Sequence, residues 1–234
     1  MAERIILTAA ELSWLLALYD RPEADAARAR LKLDTDDTEP VRFAGLSSLA
    51  ARGLLGVVDG QVRVSPEVAA VLDGLVRVRW WVTIGLVGED LADGAHLCAS
   101  ATQRFLISPR AFRCFEIIGL DPTGDLRDPI VEIAASFLRR NAPATAALEI
   151  ERVGDDGSAR ERVPAGEAGL PAAAGLAAEP RLVSLTAEPD GRWTLSAGSI
   201  EELVSEHVDA DQAEAALGAA LTEALPALPA RRLA

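Results

Sequence analysis

Two histidines, two cysteines and a surplus of carboxylates are the side chains of this chain with chemistry to offer. Catalysis at neutral pH calls for a group that titrates near 7 or for an activated nucleophile. His96-Leu97-Cys98 would set an imidazole and a thiol on one face of a strand, since residues two apart point the same way. Cys114 and His207 would bring a zinc set to four. The competing reading, with both cysteines as small core residues and His207 on a helix surface, is preferred. Glu89, Asp90 and Asp93 cluster, but within a stretch that reads as a solvated hairpin loop. The run Asp34-Thr35-Asp36-Asp37-Thr38-Glu39 lacks the glycine and distal glutamate of a calcium loop. No Gly-rich phosphate loop, nucleophile elbow or paired metal-binding histidines occur. The expectation is a protein that is not an enzyme and that carries neither metal nor cofactor.

The composition narrows the class further. Half of the 234 residues are hydrophobic but only 4% are aromatic, so Ala, Leu and Val must fill the core. The formal charge is −13, and residues 141–234 carry 16 of the 36 carboxylates against 7 of the 23 basic residues. Such a chain is repelled by a phosphate backbone unless a basic face overrides the total. Two cysteines make no disulfide framework, no signal-peptide pattern opens the chain, and no apolar run reaches membrane-spanning length. These features predict a cytoplasmic protein with no membrane association.

Three segments follow from local signals. In residues 1–75, Thr8 with Glu11 forms a capping box ahead of Leu12, Leu15, Leu16 and Tyr19, predicting a helix over 9–20. Ala24–Leu31 predicts a short helical turn. A second helix, from Pro40 to Arg52, should bury Phe43, Leu46, Leu49 and Ala50 and stop at Gly53. Asp59-Gly60 between β-branched residues signals a hairpin. Ser65-Pro66 then opens a helix burying Val68, Val71, Leu72 and Leu75. Helices followed by a small hairpin resemble a winged-helix arrangement.

Residues 76–140 and 141–234 read as two copies of one plan, strand-strand-strand-helix, with a period on the order of 60 residues. In the first, Val76 to Leu86 alternates with period two, Ala95–Ile107 is a second strand, and Phe112, Cys114, Glu116 and Ile118 mark a third. Asp128-Pro129 caps the helix that buries Ile130, Ile133, Ala134 and Phe137. In the second, Ala147–Val153 is a strand, residues 164–180 are a mobile loop, and Leu182–Ala187 pairs with Arg192–Ser196. Ser199 with Glu202 opens a helix through Leu203 and Val204, and Asp211–Leu225 is a last helix before a frayed tail. The expected fold is α+β, a single compact domain in which duplicated β-β-β-α units share a mainly antiparallel sheet. Trp80 and Trp81 lie on opposite faces of one strand, so Trp81 is either covered by a helix or exposed as a binding anchor.

The segments Leu49-Ala50-Ala51-Arg52-Gly53-Leu54-Leu55, Asp59-Gly60-Gln61-Val62 and Pro66-Glu67-Val68-Ala69-Ala70-Val71-Leu72 resemble the N-terminal region of the EspG family. These are cytosolic chaperones of type VII (ESX) secretion. The resemblance in organisation covers roughly residues 5–225. It implies a quasi-two-fold α/β fold and a partner that is a helical PE–PPE-type heterodimer, contacted through the sheet and a loop between central strands. Carried onto this sequence, that contact falls at Gly88–Gly94 and Ser108–Arg110. The expected partner-binding residues are Glu89, Asp90, Asp93, Pro109 and Arg110 in these regions, together with Trp81 as the exposed-anchor alternative. The alternative is a DNA-binding regulator whose residues 8–75 form a winged helix, with Arg42, Arg52 and Arg63 on DNA and the repeats sensing a ligand.

Overall fold

A computed structural model describes residues 4–33, 38–153, 180–199 and 201–225. The elements run β1 (Arg4–Thr8), α1 (Ala9–Ala17), α2 (Pro22–Arg30), α3 (Glu39–Ala51), β2 (Leu55–Val58), β3 (Gln61–Val64) and α4 (Pro66–Val76). Four strands follow: β4 (Trp80–Gly88), β5 (Ala92–Ala99), β6 (Arg104–Arg110) and β7 (Cys114–Gly119). Then come α5 (Arg127–Asn141), β8 (Ala144–Arg152), β9 (Arg181–Ala187), β10 (Trp193–Ser199), β11 (Leu203–Val208) and α6 (Ala213–Ala224). The fold is α+β, with a nine-stranded antiparallel sheet in the order β1-β7-β6-β5-β4-β8-β9-β10-β11 and a separate β2–β3 hairpin. Two compact units divide the chain. One takes the described residues of Met1–Arg79, Cys98–Leu120 and Val153–Ala177, the other those of Trp80–Leu97, Asp121–Arg152 and Ala178–Ala234.

In the first unit, Thr8 is both the last residue of β1 and the N-cap of α1. Its Oγ1 accepts from the Glu11 N–H at 3.2 Å, and its own N–H donates to Glu11 Oε2 at 2.8 Å. Both orphan donors of the helix start are thereby satisfied. Leu12, Leu15 and Leu16 are fully buried, as their spacing predicts. The Asp59-Gly60 turn has φ of 53° and 74°, the pair of left-handed residues that a two-residue hairpin needs. Ser65 caps α4 through the Val68 N–H, and Val68, Val71, Leu72 and Leu75 are buried. Each contributes about 2 kcal/mol relative to exposure.

The face of α3 is rotated from the expected one. Phe43 is 67% exposed and Ala50 is exposed, whereas Gly45 and Leu49 are buried. A Cβ on Gly45 would lie 2.1 Å from the Ala10 carbonyl oxygen, so the backbones of α1 and α3 meet where no side chain fits. Hydrophobic periodicity ranks large side chains and overlooks a contact made by glycine.

The second unit contains the ladders β4–β8, β8–β9, β9–β10 and β10–β11, all antiparallel. One face packs Trp80, Val82, Ile84, Ala146, Leu148, Ile150, Val183, Leu185 and Leu195 beneath α5 and α6. The stripes of those helices, Ile130, Ala134, Phe137 and Leu138 with Leu217 and Leu221, are buried in turn. The opposite face is lined by cross-strand hydroxyls: Thr145 to Thr186 at 3.0 Å and Ser196 to Ser205 at 2.8 Å. Along with them, Thr194 Oγ1 donates to Glu188 Oε1 at 2.6 Å. That face stays partly wet, while the other supplies the core.

Several expected boundaries are corrected. Val76 closes α4, and the long strand starts at Trp80. The segment Ala95–Ile107 is two strands, β5 and β6, separated by a turn in which Ser100 Oγ accepts from the Thr102 and Gln103 N–H groups. Phe112 lies in a loop and not in the third strand, which begins at Cys114. The α5 start has no side-chain cap, and Asp128-Pro129 falls inside its first turn. Ser199 with Glu202 does not open a helix: the Glu202 N–H donates to Ser199 Oγ at 3.2 Å within the turn between β10 and β11. Among the described residues, each expected three-strand group therefore contains four strands before its helix. The expected mobile loop falls almost wholly on residues 154–179 and the frayed tail on residues 226–234, both outside the described residues.

Candidate polypeptide-binding surface

The β6–β7 hairpin of the first unit carries the expected residues Pro109 and Arg110. The register places Pro109 opposite Phe115 and Arg110 opposite Cys114. Glu116, nearly buried, holds the hairpin from both sides: Arg4 Nε lies 2.6 Å from Oε1 and Arg110 Nη2 lies 2.7 Å from Oε2. Pro109 and Arg110 themselves are exposed.

The loop between them projects a phenyl ring. Phe112 is 96% exposed, with φ 59° and ψ 30°, and Arg113 follows at φ 55°. Two consecutive non-glycine residues in the left-handed region each cost about 1–2 kcal/mol. Arg113 Nη2 donates to the Lys32 carbonyl at 3.2 Å, which ties the loop to the segment after α2. Beside the ring is a cavity of about 360 Å³ lined by Ala9, Ala10, Leu33, Val41 and Phe112 among others. Its wall is largely apolar, so it suits a nonpolar side chain better than a charged one. Sequence reasoning missed Phe112 because alternation placed it inside a strand.

The remaining expected residues belong to the second unit. Glu89, Asp90 and Asp93 are exposed around the β4–β5 turn, which is closed by the Gly88 N–H donating to the Leu91 carbonyl at 2.7 Å. Asp93 Oδ1 accepts from the Gly94 N–H at 2.8 Å. The turn is acidic and solvated, as its composition implies. Trp81 is fully buried, its ring 5.4 Å from that of His96, so it is not an exposed anchor and leaves the partner-binding set. Pro109 and Arg110 thus share a hairpin tip with Phe112, while the acidic turn is a separate feature of the other unit.

The groups first considered for chemistry are dispersed. His96 Nδ1 lies 3.4 Å from Thr83 Oγ1, and His207 Nδ1 lies 3.1 Å from Thr194 Oγ1. Cys98 is buried, which pushes its thiol well above its ordinary range despite the opposing pull of Arg30. Cys114 is half-buried, with Sγ 3.8 Å from the Phe112 carbonyl. Among the described residues no group of three His, Cys, Asp or Glu is placed to hold a metal ion. A polar groove of about 520 Å³ between α5 and α6 contains ion pairs, Arg127 with Asp125 and Arg139 with Glu214. Among the described residues no helix is long and apolar enough to cross a membrane.

Of the arginines expected on DNA, Arg52 is already committed. Its Nη1 lies 2.9 Å from Glu11 Oε2, and its Nη2 donates to the Ile6 carbonyl at 2.8 Å. No model of a known protein family matches the chain, and no curated protein matches its sequence.

Proposed function

We propose that this chain is a non-catalytic polypeptide-binding module, an EspG-like cytosolic chaperone that holds a helical secretion substrate at the β6–β7 hairpin tip. The observation that carries the reading is Phe112, a phenyl ring 96% exposed on a left-handed backbone. Exposed aromatics of this kind are frequent binding anchors, and strained loop residues concentrate at functional positions. The adjacent apolar cavity offers a recess for a side chain of the partner. Pro109 and Arg110 precede Phe112 in the same hairpin, in the region where the family resemblance puts the contact.

Support for a duplicated, quasi-two-fold plan comes from strand order. Among the described residues, β4 to β7 form one run of four strands in sequence and β8 to β11 another. Each set of four is followed in sequence by a helix. We read α3, the β2–β3 hairpin and α4 as winged-helix-like in order, but the engagement of Arg52 by Glu11 weighs against a DNA-reading role.

Co-expression with a helical PE–PPE-type heterodimer tests the proposal. A stable ternary complex on size exclusion is expected, lost on Phe112→Ser with unchanged circular dichroism. Absence of a complex with any such heterodimer rejects the partner, and a complex indifferent to Phe112→Ser rejects the site.

A further inference from the structure

The two ends of the sheet order are treated differently by the chain. At β1, Arg52 donates to the Ile6 carbonyl at 2.8 Å and Glu11 accepts from the Thr8 N–H at 2.8 Å, so side chains close backbone groups that would otherwise invite another strand. At β11, among the described residues, no strand pairs with the outer side and no such closure occurs. Leu203 is 50% exposed and Val204 is 68% exposed.

The register identifies the open groups. The Ser199 N–H donates to the Glu202 carbonyl at 3.1 Å, and Ala197 pairs with Val204, Leu195 with Glu206 and Trp193 with Val208. Hydrogen-bonded and non-hydrogen-bonded pairs alternate in an antiparallel ladder. Val204, Glu206 and Val208 therefore turn their backbone groups toward β10, and Leu203, Ser205 and His207 turn theirs outward. On the helix side of this edge is a groove of about 410 Å³ floored by Leu195, Ala197 and Val204 and walled by Ala216, Ala219 and Ala220 of α6.

Charge selects the occupant. Glu201 and Glu202 precede the strand, Glu206 and Glu223 line or border the groove, and Asp209 and Asp211 follow the strand. Among the described residues none of these carboxylates is ion-paired, and Arg181 is the cation of the groove lining. A second copy paired antiparallel along β11 would set Glu201 and Glu202 of one chain against Asp209 and Asp211 of the other, in chains of formal charge −13. That pairing is unfavourable. A basic segment meets the same edge with attraction at both ends.

We propose that the outer edge of β11 takes up an extended polypeptide segment by strand addition, its alternate aliphatic side chains entering the α6 groove and its basic ends meeting the flanking carboxylates. This surface goes beyond the hairpin-tip reading, and Phe112→Ser should leave it intact.

The probe is a short capped peptide with a core of alternating valine and threonine and two lysines at either end, titrated into the full chain by fluorescence anisotropy. Saturable binding is expected, weakened by about 0.5 M salt. Ser205→Pro removes an outward N–H donor at a position where an edge strand tolerates proline, and should weaken binding about tenfold or more. Of the two forms of the peptide N-methylated on alternate amides, the one whose blocked amides face β11 should bind the unaltered chain as poorly, a measurement that stands even if Ser205→Pro fails to fold. A version with glutamates for lysines should not bind. Undiminished binding of both N-methylated forms, with either set of alternate amides blocked, or of the unmodified peptide to folded Ser205→Pro, overturns strand addition. So does the absence of saturable binding, or a peptide-free dimer abolished by Ser205→Pro, which would make a second copy the occupant.

Discussion

Arg52 Nη1 sits 2.9 Å from both carboxylate oxygens of Glu11, a side chain with no solvent exposure. The same carboxylate accepts from the Ser48 hydroxyl at 2.8 Å and from the Thr8 N–H, so one buried acid joins β1, α1 and α3. Removing one partner of a buried pair leaves the rest desolvated and unmatched. Glu11→Ala should lower stability by about 3 kcal/mol, read as a fall in the urea midpoint with little change in slope. Ser48→Ala, which removes one of several donors, should cost only about 1 kcal/mol.

The approach of α3 to α1 predicts a contrast between two glycines. Gly45→Ala forces a methyl group to within 2.1 Å of the Ala10 carbonyl oxygen, and should destabilise by about 3 kcal/mol or prevent folding. Gly218, inside α6, has open space around its missing Cβ. Gly218→Ala should raise stability by about 0.5–1 kcal/mol. Thermal melts of the two variants side by side decide the matter.

Phe112 should separate stability from binding. Phe112→Gly relieves the left-handed backbone at φ 59° and is expected to raise the melting temperature slightly, by the equivalent of about 0.5–1 kcal/mol, while abolishing partner capture. Phe112→Ala keeps the strain and loses only the ring. If Phe112→Gly melts lower than Phe112→Ala, the strain has been misjudged.

Cys98 makes stability depend on alkaline pH. Burial raises its thiol above the ordinary value of 9.0, so between that value and the folded one the native chain holds a proton that the unfolded chain has lost. Stability contributed by the neutral thiol is present below about pH 9 and declines above it, by up to about 1.4 kcal/mol per pH unit. Cys98→Ala should flatten that slope in denaturant titrations from pH 8 to about pH 10. Native thiol labelling should be confined to Cys114, which is half-buried.

Much of the first unit was legible because its signals are local. A capping box, an Asp-Gly turn and a Ser-Pro helix start each act through bonds spanning three residues, and each is present. The errors arose where one local pattern serves two structures. Ser199 and Glu202 make the same N–H to Oγ bond that a helix cap makes, yet it closes a β-turn, and the β-branched residues after it continue as strand. Ser100–Gln103 reverses the chain without glycine or proline, so two strands read as one. The hairpin tip was only half readable. Its neighbourhood came from Pro109 and Arg110, but the exposure of Phe112 depends on where β7 begins, which pairing with β6 and β1 decides.

The passage from β1 into α1 contains no connecting loop, since Thr8 serves as strand residue and helix cap at once. One additional residue inserted there would turn Leu12, Leu15 and Leu16 by about 100° around the helix axis. The leucines would leave their seats, with no slack nearby to absorb the twist. This junction should be the place in the chain least forgiving of length change, whatever latitude individual side chains enjoy.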